Sequence, residues 1–343
     1  MQIKKKIKVL VVDDSLLFRE AISQGLSADP DVEVVATAHD VYNARDKIIK
    51  YQPDVMTLDV EMPKMNGIEF LRRLMPQYPM PVVVVSSVSE NVFEALQAGA
   101  VDFVTKPDWK TGRRFDTLLN ELIIKVKIAA TARVGHWKRE TSSDSIKRTD
   151  SSYGMDIIAI GASTGGTEAI ASILKAFPAD MPGTVIVQHM PPVFTRMYAE
   201  RLNNSCLMEI KEAQDGDRVF AGRALVAPGD YHMRIKKKGS IYFVECRKGE
   251  KVNGHCPSVD VLFDSVAEQI GRTALGVILT GMGTDGAKGL LAMKKIGAKT
   301  IGQDEESCIV YGMPRAALNL GAVDRQVPLV SIPQVVCSMI RGK

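Results

Sequence analysis

The 343-residue sequence lacks the features of a membrane or secreted protein. No stretch approaches the ~20 consecutive apolar residues of a membrane-spanning helix. The basic start, residues 1–8, leads into only four apolar residues before Asp13, whereas the core of a secretory signal needs roughly 7–15. The five cysteines are odd in number and have no C-x-x-C spacing, so we expect reduced thiols. These absences predict a cytoplasmic protein without membrane insertion.

An excess of one charge sign is also nearly absent. The sequence has 44 Lys and Arg against 40 Asp and Glu, a formal net charge of +4, although its pI is near 8.7. Seven basic and three acidic residues within 125–154 account for the whole surplus. The rest of the chain is close to neutral, so the pI gives no reason to expect a nucleic-acid partner.

The length and the pattern of apolar runs predict two α/β domains. Hydrophobic residues make up 45% and charged residues 24% of the chain, which excludes wholesale disorder, collagen-like repeats and coiled-coil rods. At roughly 150 residues per domain, the chain has room for two. Residues 125–154 are rich in Ser, Thr and charge and predict a flexible basic linker, although a helix can continue into its first residues. The expected domains are therefore 5–124 and 155–343.

Short β-branched runs alternate with helix-period segments in both halves, which is typical of doubly wound parallel sheets. The expected strands lie at 9–12, 34–36, 55–58, 82–85 and 101–104 in the first half, and at 157–160, 184–187, 224–227, 242–244 and 275–279 in the second. Helices are expected at 168–177 and 260–269, among others, and Ser15 is expected to cap the first helix.

Carboxylates and a lysine follow the predicted strands of the first half. Asp13 and Asp14 follow the first strand, Asp59 the third and Lys106 the fifth, while Ser86 follows the fourth. Ligands bind beyond the carboxyl ends of such strands, and clustered carboxylates favour a hard cation such as Mg²⁺. Asp59 is the natural acceptor for a phosphoryl group, with Lys106 and a serine hydroxyl helping to bind its oxygens.

The order of these residues strongly resembles the response-regulator receiver domain, which has a flavodoxin-like fold. The matching pattern is Asp-Asp, then Asp-x-x-Met-Pro-x-x-x-Gly from Asp59, then Ser, then Lys-Pro. The resemblance implies that a partner histidine kinase phosphorylates Asp59. It implies that Asp13 and Asp14 hold Mg²⁺ with Asp59, that Lys106 contacts the phosphoryl group, and that Ser86 and Phe103 respond to it.

The second half opens with a buried run followed by Gly-Ala-Ser-Thr-Gly-Gly-Thr at 161–167. As Gly-x-Ser-x-Gly this fits a nucleophile elbow that exposes Ser163. As a glycine-rich turn before a helix it fits a phosphate cradle, although it lacks the ending of a P-loop. It also fits an ordinary turn capped by a hydroxyl. The segment alone leaves all three interpretations open.

A nucleophilic serine needs a base and an acid that orients the base. His189 follows the next buried run, which places it at the same sheet edge as Ser163, whereas His232 and His255 lie in turn-rich contexts. Asp285 follows another buried run in a glycine-rich loop, where we expect it close to His189 Nδ1. Asp260 and Asp304 are competing acids.

With these motifs the second half resembles the catalytic domain of the chemotaxis protein-glutamate methylesterases, with a Rossmann-like fold. Matching stretches lie at 161–166, 188–192, 227–230, 257–263, 281–286 and 311–314. The resemblance assigns the triad to Ser163, His189 and Asp285, and it places Thr164 and Met282 in the loops that stabilise the oxyanion. The sequence departs from the family's pattern at 88–91, which is short, and at Val193 and Cys256.

The resemblance implies a hydrolase that removes γ-methyl esters from chemoreceptor glutamates, releases methanol and deamidates receptor glutamines, without a cofactor of its own. The domain order suggests that the unphosphorylated receiver covers the esterase's active edge and that phosphorylation uncovers it. We expect a monomer. A rival hypothesis is a non-enzymatic response regulator, whose second domain binds a nucleotide or a protein.

Overall fold

The computed structural model describes residues 5–63, 65–87, 89–107, 115–134 and 154–340. The chain divides into two compact units, residues 1–138 and 139–343, which we describe separately. Most of the predicted linker, residues 135–153, lies outside the described residues. Across the described ranges, no helix combines the length and apolar character needed to cross a bilayer.

The first unit is a five-stranded parallel sheet with strand order β2-β1-β3-β4-β5, as the alternating runs predict. Its strands are β1 (Ile7–Val12), β2 (Val32–Ala38), β3 (Val55–Asp59), β4 (Val82–Ser86) and β5 (Asp102–Thr105). Its helices are α1 (Leu16–Ser27), α2 (Val41–Tyr51), α3 (Gly67–Leu74), α4 (Ser89–Gln97) and α5 (Phe115–Ala129). The central strands β3 and β4 are buried along their whole length, which explains their continuous apolar runs.

Side-chain caps fix where the helices of this unit begin. Ser15 Oγ accepts from the backbone N–H of Phe18, which confirms the predicted cap of α1. Asp40 caps α2 in the same way through the N–H of Asn43, at 2.8 Å. Each cap satisfies a backbone donor that the first helical turn leaves without a partner.

Helix α5 continues into the first residues of the expected linker, as the sequence allows, because it includes residues 125–129. Lys125 Nζ lies 2.8 Å from Asp102 and 3.2 Å from Glu121, and Lys127 Nζ binds Asp29 and Asp31 at 2.8 and 3.1 Å. These lysines look like linker charge in the sequence, but three of their four partners, Asp29, Asp31 and Asp102, are distant along the chain. The first unit therefore includes α5 to its end at Ala129, and the bounds of the linker stay a prediction.

The second unit is built on a seven-stranded parallel sheet with strand order β15-β14-β13-β6-β7-β10-β8. The strands of this sheet are β6 (Ile157–Ala162), β7 (Gly183–Gln188), β8 (Glu209–Glu212), β10 (Arg223–Val226), β13 (Ala274–Ile278), β14 (Lys299–Gln303) and β15 (Arg325–Val327). The helices are α6 (Gly166–Ala176), α7 (Phe194–Asn203), α8 (Val259–Gln269), α9 (Ala287–Lys295), α10 (Met313–Asn319) and α11 (Ile332–Ile340). Helices α6 and α8 match the two predicted helices within two residues.

A second, antiparallel sheet departs from the expected alternation. It consists of β9 (Arg218–Val219), β11 (His232–Lys238) and β12 (Ile241–Arg247), in the order β11-β12-β9. The predicted strand 242–244 lies in β12 and is therefore not part of the parallel sheet. Met233, Ile235, Val244 and Cys246 are buried on one face of this sheet and join the core of the unit.

The strand order determines which chain segments meet at the carboxyl edge of the larger sheet. Strand β6 lies between β13 and β7, with Ala162 paired to Gln188 and Gly161 paired to Ile278. The residues that follow these three strands therefore converge, because parallel neighbours lie only about 4.8 Å apart.

Candidate functional site

Three carboxylates meet at the carboxyl edge of the first sheet. Asp13 and Asp14 follow β1, and Asp59 ends the neighbouring strand β3. One ligand oxygen from each lies within 4.8 Å of the others, and the side chains of Asp13 and Asp59 are buried while Asp14 is exposed. Three hard oxygen ligands at this spacing fit Mg²⁺. The structure thus brings together the predicted acidic residues.

Lys106 completes this cluster. Its Nζ lies 2.6 Å from Asp59 Oδ2 and 2.8 Å from Asp13 Oδ2. Burial raises the pKa of Asp59 to about 6, even though Lys106 lowers it. Burial also disfavours the charged lysine, but the hydrogen bonds to both carboxylates outweigh this effect and raise the pKa of Lys106. The site holds more negative charge than one lysine neutralises, which is a further reason that a cation fits it.

Ser86 and Phe103 lie on the two strands next to this cluster. Ser86 ends β4 and is fully buried, and its carbonyl accepts from the N–H of Lys106 at 3.0 Å. Phe103 is buried in β5, with Lys125 Nζ 4.8 Å from its ring centroid. Both predicted switch residues therefore belong to elements that contact the acidic edge.

Ser163 lies in the turn between β6 and α6. Its N–H donates to the carbonyl of Thr280 at 3.0 Å, and its carbonyl accepts from Gly166 at 2.7 Å. Gly165 has φ 77°, a left-handed conformation that glycine adopts freely. A Cβ on Gly281 would lie 2.6 Å from Ser163 Cβ, so the neighbouring loop packs directly on the serine. The segment is thus a sharp strand–turn–helix connection, which the elbow and the phosphate cradle both require.

His189 lies beside Ser163 at the end of β7. Its N–H donates to Ala162, the residue before Ser163, at 3.1 Å, and Gln188 Nε2 donates to the Ser163 carbonyl at 2.8 Å. The imidazole is nearly buried, and its Nε2 lies 2.8 Å from Asp285 Oδ2. The contact with Asp285 was expected at Nδ1, so the prediction of the ring's orientation is wrong.

The reversed orientation leaves Nδ1 as the ring nitrogen for proton transfer. Among the described residues, His189 Nδ1 is buried without a hydrogen-bond partner, and no hydrogen bond joins the side chains of Ser163 and His189. Because Asp285 accepts from Nε2–H, the neutral ring carries its lone pair on Nδ1. In the absence of substrate, the hydrogen bond between a base and its nucleophile is often long or poorly aligned, so this geometry does not rule out His189 as a base.

Asp285 is held by an unusually complete set of donors. It is 1% exposed. Besides His189, the donors are Asn253 Nδ2 at 2.8 Å, Ser258 Oγ at 2.7 Å, and the backbone N–H groups of Val259 at 2.7 Å and Asp260 at 3.2 Å. Burial opposes ionisation, but the hydrogen bonds from His189 and Asn253 outweigh it and hold the pKa of Asp285 well below its usual range. The carboxylate is therefore charged at neutral pH.

The competing acids have other structural roles. Asp260 Oδ1 accepts from the N–H of Gly289 at 2.7 Å, and its Oδ2 accepts from Asn253. Asp304 caps the turn at Ser307, whose N–H and hydroxyl both donate to Oδ1. Among the three candidates, Asp285 is the acid that contacts His189.

Thr164 follows Ser163 in the same turn, and Met282 follows Gly281, whose backbone packs against Ser163. The Gly281 carbonyl accepts from the N–H of Met313 at 2.7 Å, which fixes the loop before Met282. In the described ranges the Met282 N–H has no acceptor, and its side chain is 44% exposed. The Thr164 carbonyl accepts from Thr280 Oγ1 at 3.0 Å.

Two residues near the triad were missed or undervalued in the sequence. Asn253 was not considered, and His255 was ranked as a weak candidate base. The rings of His255 and His189 are stacked, with centroids 3.6 Å apart and planes 10° from parallel. The available signal was the Asn-Gly pair at 253–254, which predicts a tight hairpin turn, although it does not show what the hairpin contacts.

The departures from the family pattern lie outside the triad. Val193 precedes α7 with φ 72°, a conformation that favours glycine and strains a β-branched residue. Cys256 is partly exposed, and its carbonyl accepts from the N–H of Asp230 at 3.2 Å. Val88 lies outside the described residues.

Comparisons with known proteins give a matching family for each of the two units. A family model described as "CheB methylesterase" matches residues 158–336, and one described as "Response regulator receiver domain" matches residues 9–111. The chain is 62% identical over 336 residues to protein-glutamate methylesterase/protein-glutamine glutaminase 2 of Syntrophomonas wolfei, covering 98% of each chain. It is 50% identical over 341 residues to the Escherichia coli protein-glutamate methylesterase/protein-glutamine glutaminase, covering 98% of this chain and 97% of that one.

A solved structure supports the fold of the second unit. The catalytic domain of the Thermotoga maritima CheB methylesterase covers 54% of this chain and 99% of its own, at 37% identity and a TM-score of 0.53. The predicted fold class is confirmed.

The raised pKa of Asp59 predicts how pH and Mg²⁺ affect stability. A carboxyl whose pKa rises from 3.8 to about 6 favours the folded state only while protonated, so folding loses up to ~3 kcal/mol as pH rises through this window. Asp59→Asn should therefore stabilise the receiver without Mg²⁺ above pH 6, and the gain should shrink towards pH 4. Calorimetry of the full chain with a chelator measures this effect.

Asp46→Asn, an exposed change on α2, is the control for this experiment and should show no such pH dependence. Added Mg²⁺ should stabilise the unmodified chain more than Asp59→Asn. A substitution that destabilises the receiver equally at pH 4 and pH 8 would contradict the burial argument.

Proposed function

This chain belongs to the CheB methylesterase family and carries a response regulator receiver domain, and we propose that Ser163, His189 and Asp285 catalyse its reaction. That reaction is hydrolysis of glutamate γ-methyl esters on chemoreceptors, with deamidation of receptor glutamines at the same site. The observation that carries the proposal is the 2.8 Å contact between His189 Nε2 and Asp285 Oδ2, at the strand ends where Ser163 follows β6.

In the first half of the reaction, Ser163 Oγ attacks the ester carbonyl. His189 Nδ1 takes the hydroxyl proton as the new C–O bond forms. The carbonyl oxygen becomes an oxyanion, which accepts hydrogen bonds from the Met282 and Thr164 backbone N–H groups. Collapse of this intermediate breaks the bond to the methoxy group, which leaves as methanol with the proton from His189.

In the second half, water hydrolyses the acyl-enzyme. His189 Nδ1 takes a proton from the water as its oxygen attacks the acyl carbon, and then returns a proton to Ser163 Oγ as that bond breaks. The product is a glutamate side chain. With a glutamine substrate the same steps release ammonia instead of methanol.

Asp285 makes His189 an effective base. Its charge lies next to Nε2–H, so it fixes the tautomer that leaves Nδ1 free and stabilises the imidazolium that forms in each step. The depressed pKa of Asp285 keeps the carboxylate ionised throughout, so the proton stays on the imidazole.

The receiver supplies the phosphorylation site in this proposal. Asp59 accepts a phosphoryl group from a chemotaxis histidine kinase, and Lys106 Nζ already lies 2.6 Å from Asp59 Oδ2. Asp13, Asp14 and Asp59 would hold Mg²⁺, which screens the repulsion between carboxylate and phosphoryl oxygens. Ser86 and Phe103 transmit the change, and phosphorylation raises the esterase activity.

The remaining expectations concern the setting in which the enzyme works. We propose a cytoplasmic monomer that binds chemoreceptors as substrate, without a nucleic-acid partner and without a cofactor in the esterase unit. The covering of the active edge by the receiver stays a prediction.

Methanol release from methylated receptor membranes tests the triad. Ser163→Ala should abolish release, and Asp285→Asn should lower kcat by ~10³–10⁴-fold because the tautomer and the imidazolium both lose their support. Asp304→Asn is the matched control and should stay near the unmodified rate. Undiminished methanol release by Ser163→Ala would contradict the assignment of the triad. If the unmodified protein releases no methanol, with or without phosphodonor, that result would favour the non-enzymatic rival.

The phosphorylation site is tested by comparing stimulation rather than basal rates. A small-molecule phosphodonor with Mg²⁺ should raise methanol release by the unmodified chain and leave Asp59→Asn unchanged, because the amide cannot accept the phosphoryl group. The proposal is wrong if both proteins are stimulated equally.

A further inference from the structure

We propose that His255 is a positioning residue for the catalytic base: its ring lies flat on His189 and holds that imidazole in the plane that Ser163 requires. The inference rests on the proposed function of His189. It adds a fourth side chain to the machinery, one that acts through the base.

The stacking geometry provides a constraint that the triad itself lacks. A single hydrogen bond from Nε2 to Asp285 lets the imidazole rotate about the line between the two atoms. The stacked ring of His255, with centroids 3.6 Å apart and planes 10° from parallel, blocks that rotation on one face. Nδ1 therefore keeps a fixed direction, and a misplacement of about 1 Å at a reacting group can cost ~100-fold in rate.

A tight hairpin holds His255 in place. Val252 and His255 exchange two backbone hydrogen bonds, of 3.0 and 2.9 Å, across Asn253 and Gly254. These two residues have φ 52° and 85°, as in the type I′ turn that Asn-Gly favours. Asn253 Nδ2 also donates to Asp285 and to Asp260, at 2.8 Å each. The hairpin therefore binds the Asp285 carboxylate through Asn253 and places the His255 ring against His189.

His255 itself is not arranged as a base. Among the described residues its ring forms no hydrogen bond, so it has no acid to fix its tautomer, unlike His189. The charged and titratable groups that act on it are His189, Asp285 and Lys251. Burial, with His189 and Lys251 nearby, lowers the pKa of His255 to about 4, so its ring is neutral at neutral pH.

A neutral ring suits this place in the reaction. When Ser163 gives its proton to His189, a cation forms directly against the face of His255. An aromatic face attracts a cation, whereas a second imidazolium at this distance would repel it. Stacking by a neutral ring therefore orients the base without adding a second charge that would repel the imidazolium.

The experiment compares three substitutions in the full chain by methanol release. His255→Phe keeps a flat neutral ring, whereas His255→Gln and His255→Ala remove the stack. We expect kcat to fall ~10–100-fold in the Gln and Ala variants with KM within about threefold, and to return to within about threefold of the unmodified rate in the Phe variant. His39→Ala, an exposed change in the receiver, is the control.

The outcomes separate positioning from other roles. Unchanged kcat in the Gln and Ala variants, or a loss in the Phe variant as large as in Ala, overturns the proposal. A rise in KM with kcat intact also overturns it, because that result marks a substrate contact. If His255→Ala does not fold, the comparison of kcat between His255→Phe and His255→Gln tests the proposal.

A second measurement makes failure of this inference distinguishable from failure of the proposed function. The rate at which a fluorophosphonate labels Ser163 depends on activation of the serine and needs no receptor substrate. The rate should fall in the Gln variant and recover in the Phe variant even if the natural substrate differs from the one proposed. Equal labelling rates in all variants would contradict the role of His255.

Discussion

The catalytic unit depends on a single buried charge, the carboxylate of Asp285. Removing a carboxylate from water costs several kcal/mol unless hydrogen bonds replace its hydration. Five donors do so here, from His189, Asn253, Ser258 and the backbone of Val259 and Asp260. They come from the end of β7, the hairpin at 252–255 and the first turn of α8. The charge therefore determines how these segments pack, and it orients the base in the same contacts.

The two units use buried aspartates in opposite ways. Asp285 has enough donors to stay ionised, and its pKa is held well below the usual range. Asp59 has Lys106 and one backbone N–H from Glu61, next to Asp13, and burial raises its pKa to about 6. The first environment suits a permanent charge that supports an imidazolium. The second environment leaves the carboxylate short of positive charge, and a bound metal ion would supply that charge.

The sequence predicts that Ser163, His189 and Asp285 lie together, because buried β-branched runs predict parallel strands and the strand ends meet at one edge. The structure brings His189 and Asp285 into contact at that edge, and the catalytic roles stay a proposal. The ring orientation of His189 was not predictable, since it depends on side-chain torsions and on donors from a distant segment. His255 was undervalued for the same reason. The end of α5 could not be fixed from the sequence, because Lys125 reads as linker charge until its partner Asp102 is known.

The central claim is that Asp285 binds Nε2–H of His189 and leaves Nδ1 as the base for Ser163. Nitrogen-15 NMR of histidine-labelled protein, with His189→Gln to assign the signals, measures the tautomer directly. The account predicts that the neutral form of the ring carries its proton on Nε2, with a loss of this tautomer preference in Asp285→Asn. A ring protonated on Nδ1, or a preference that survives removal of the Asp285 charge, would contradict it.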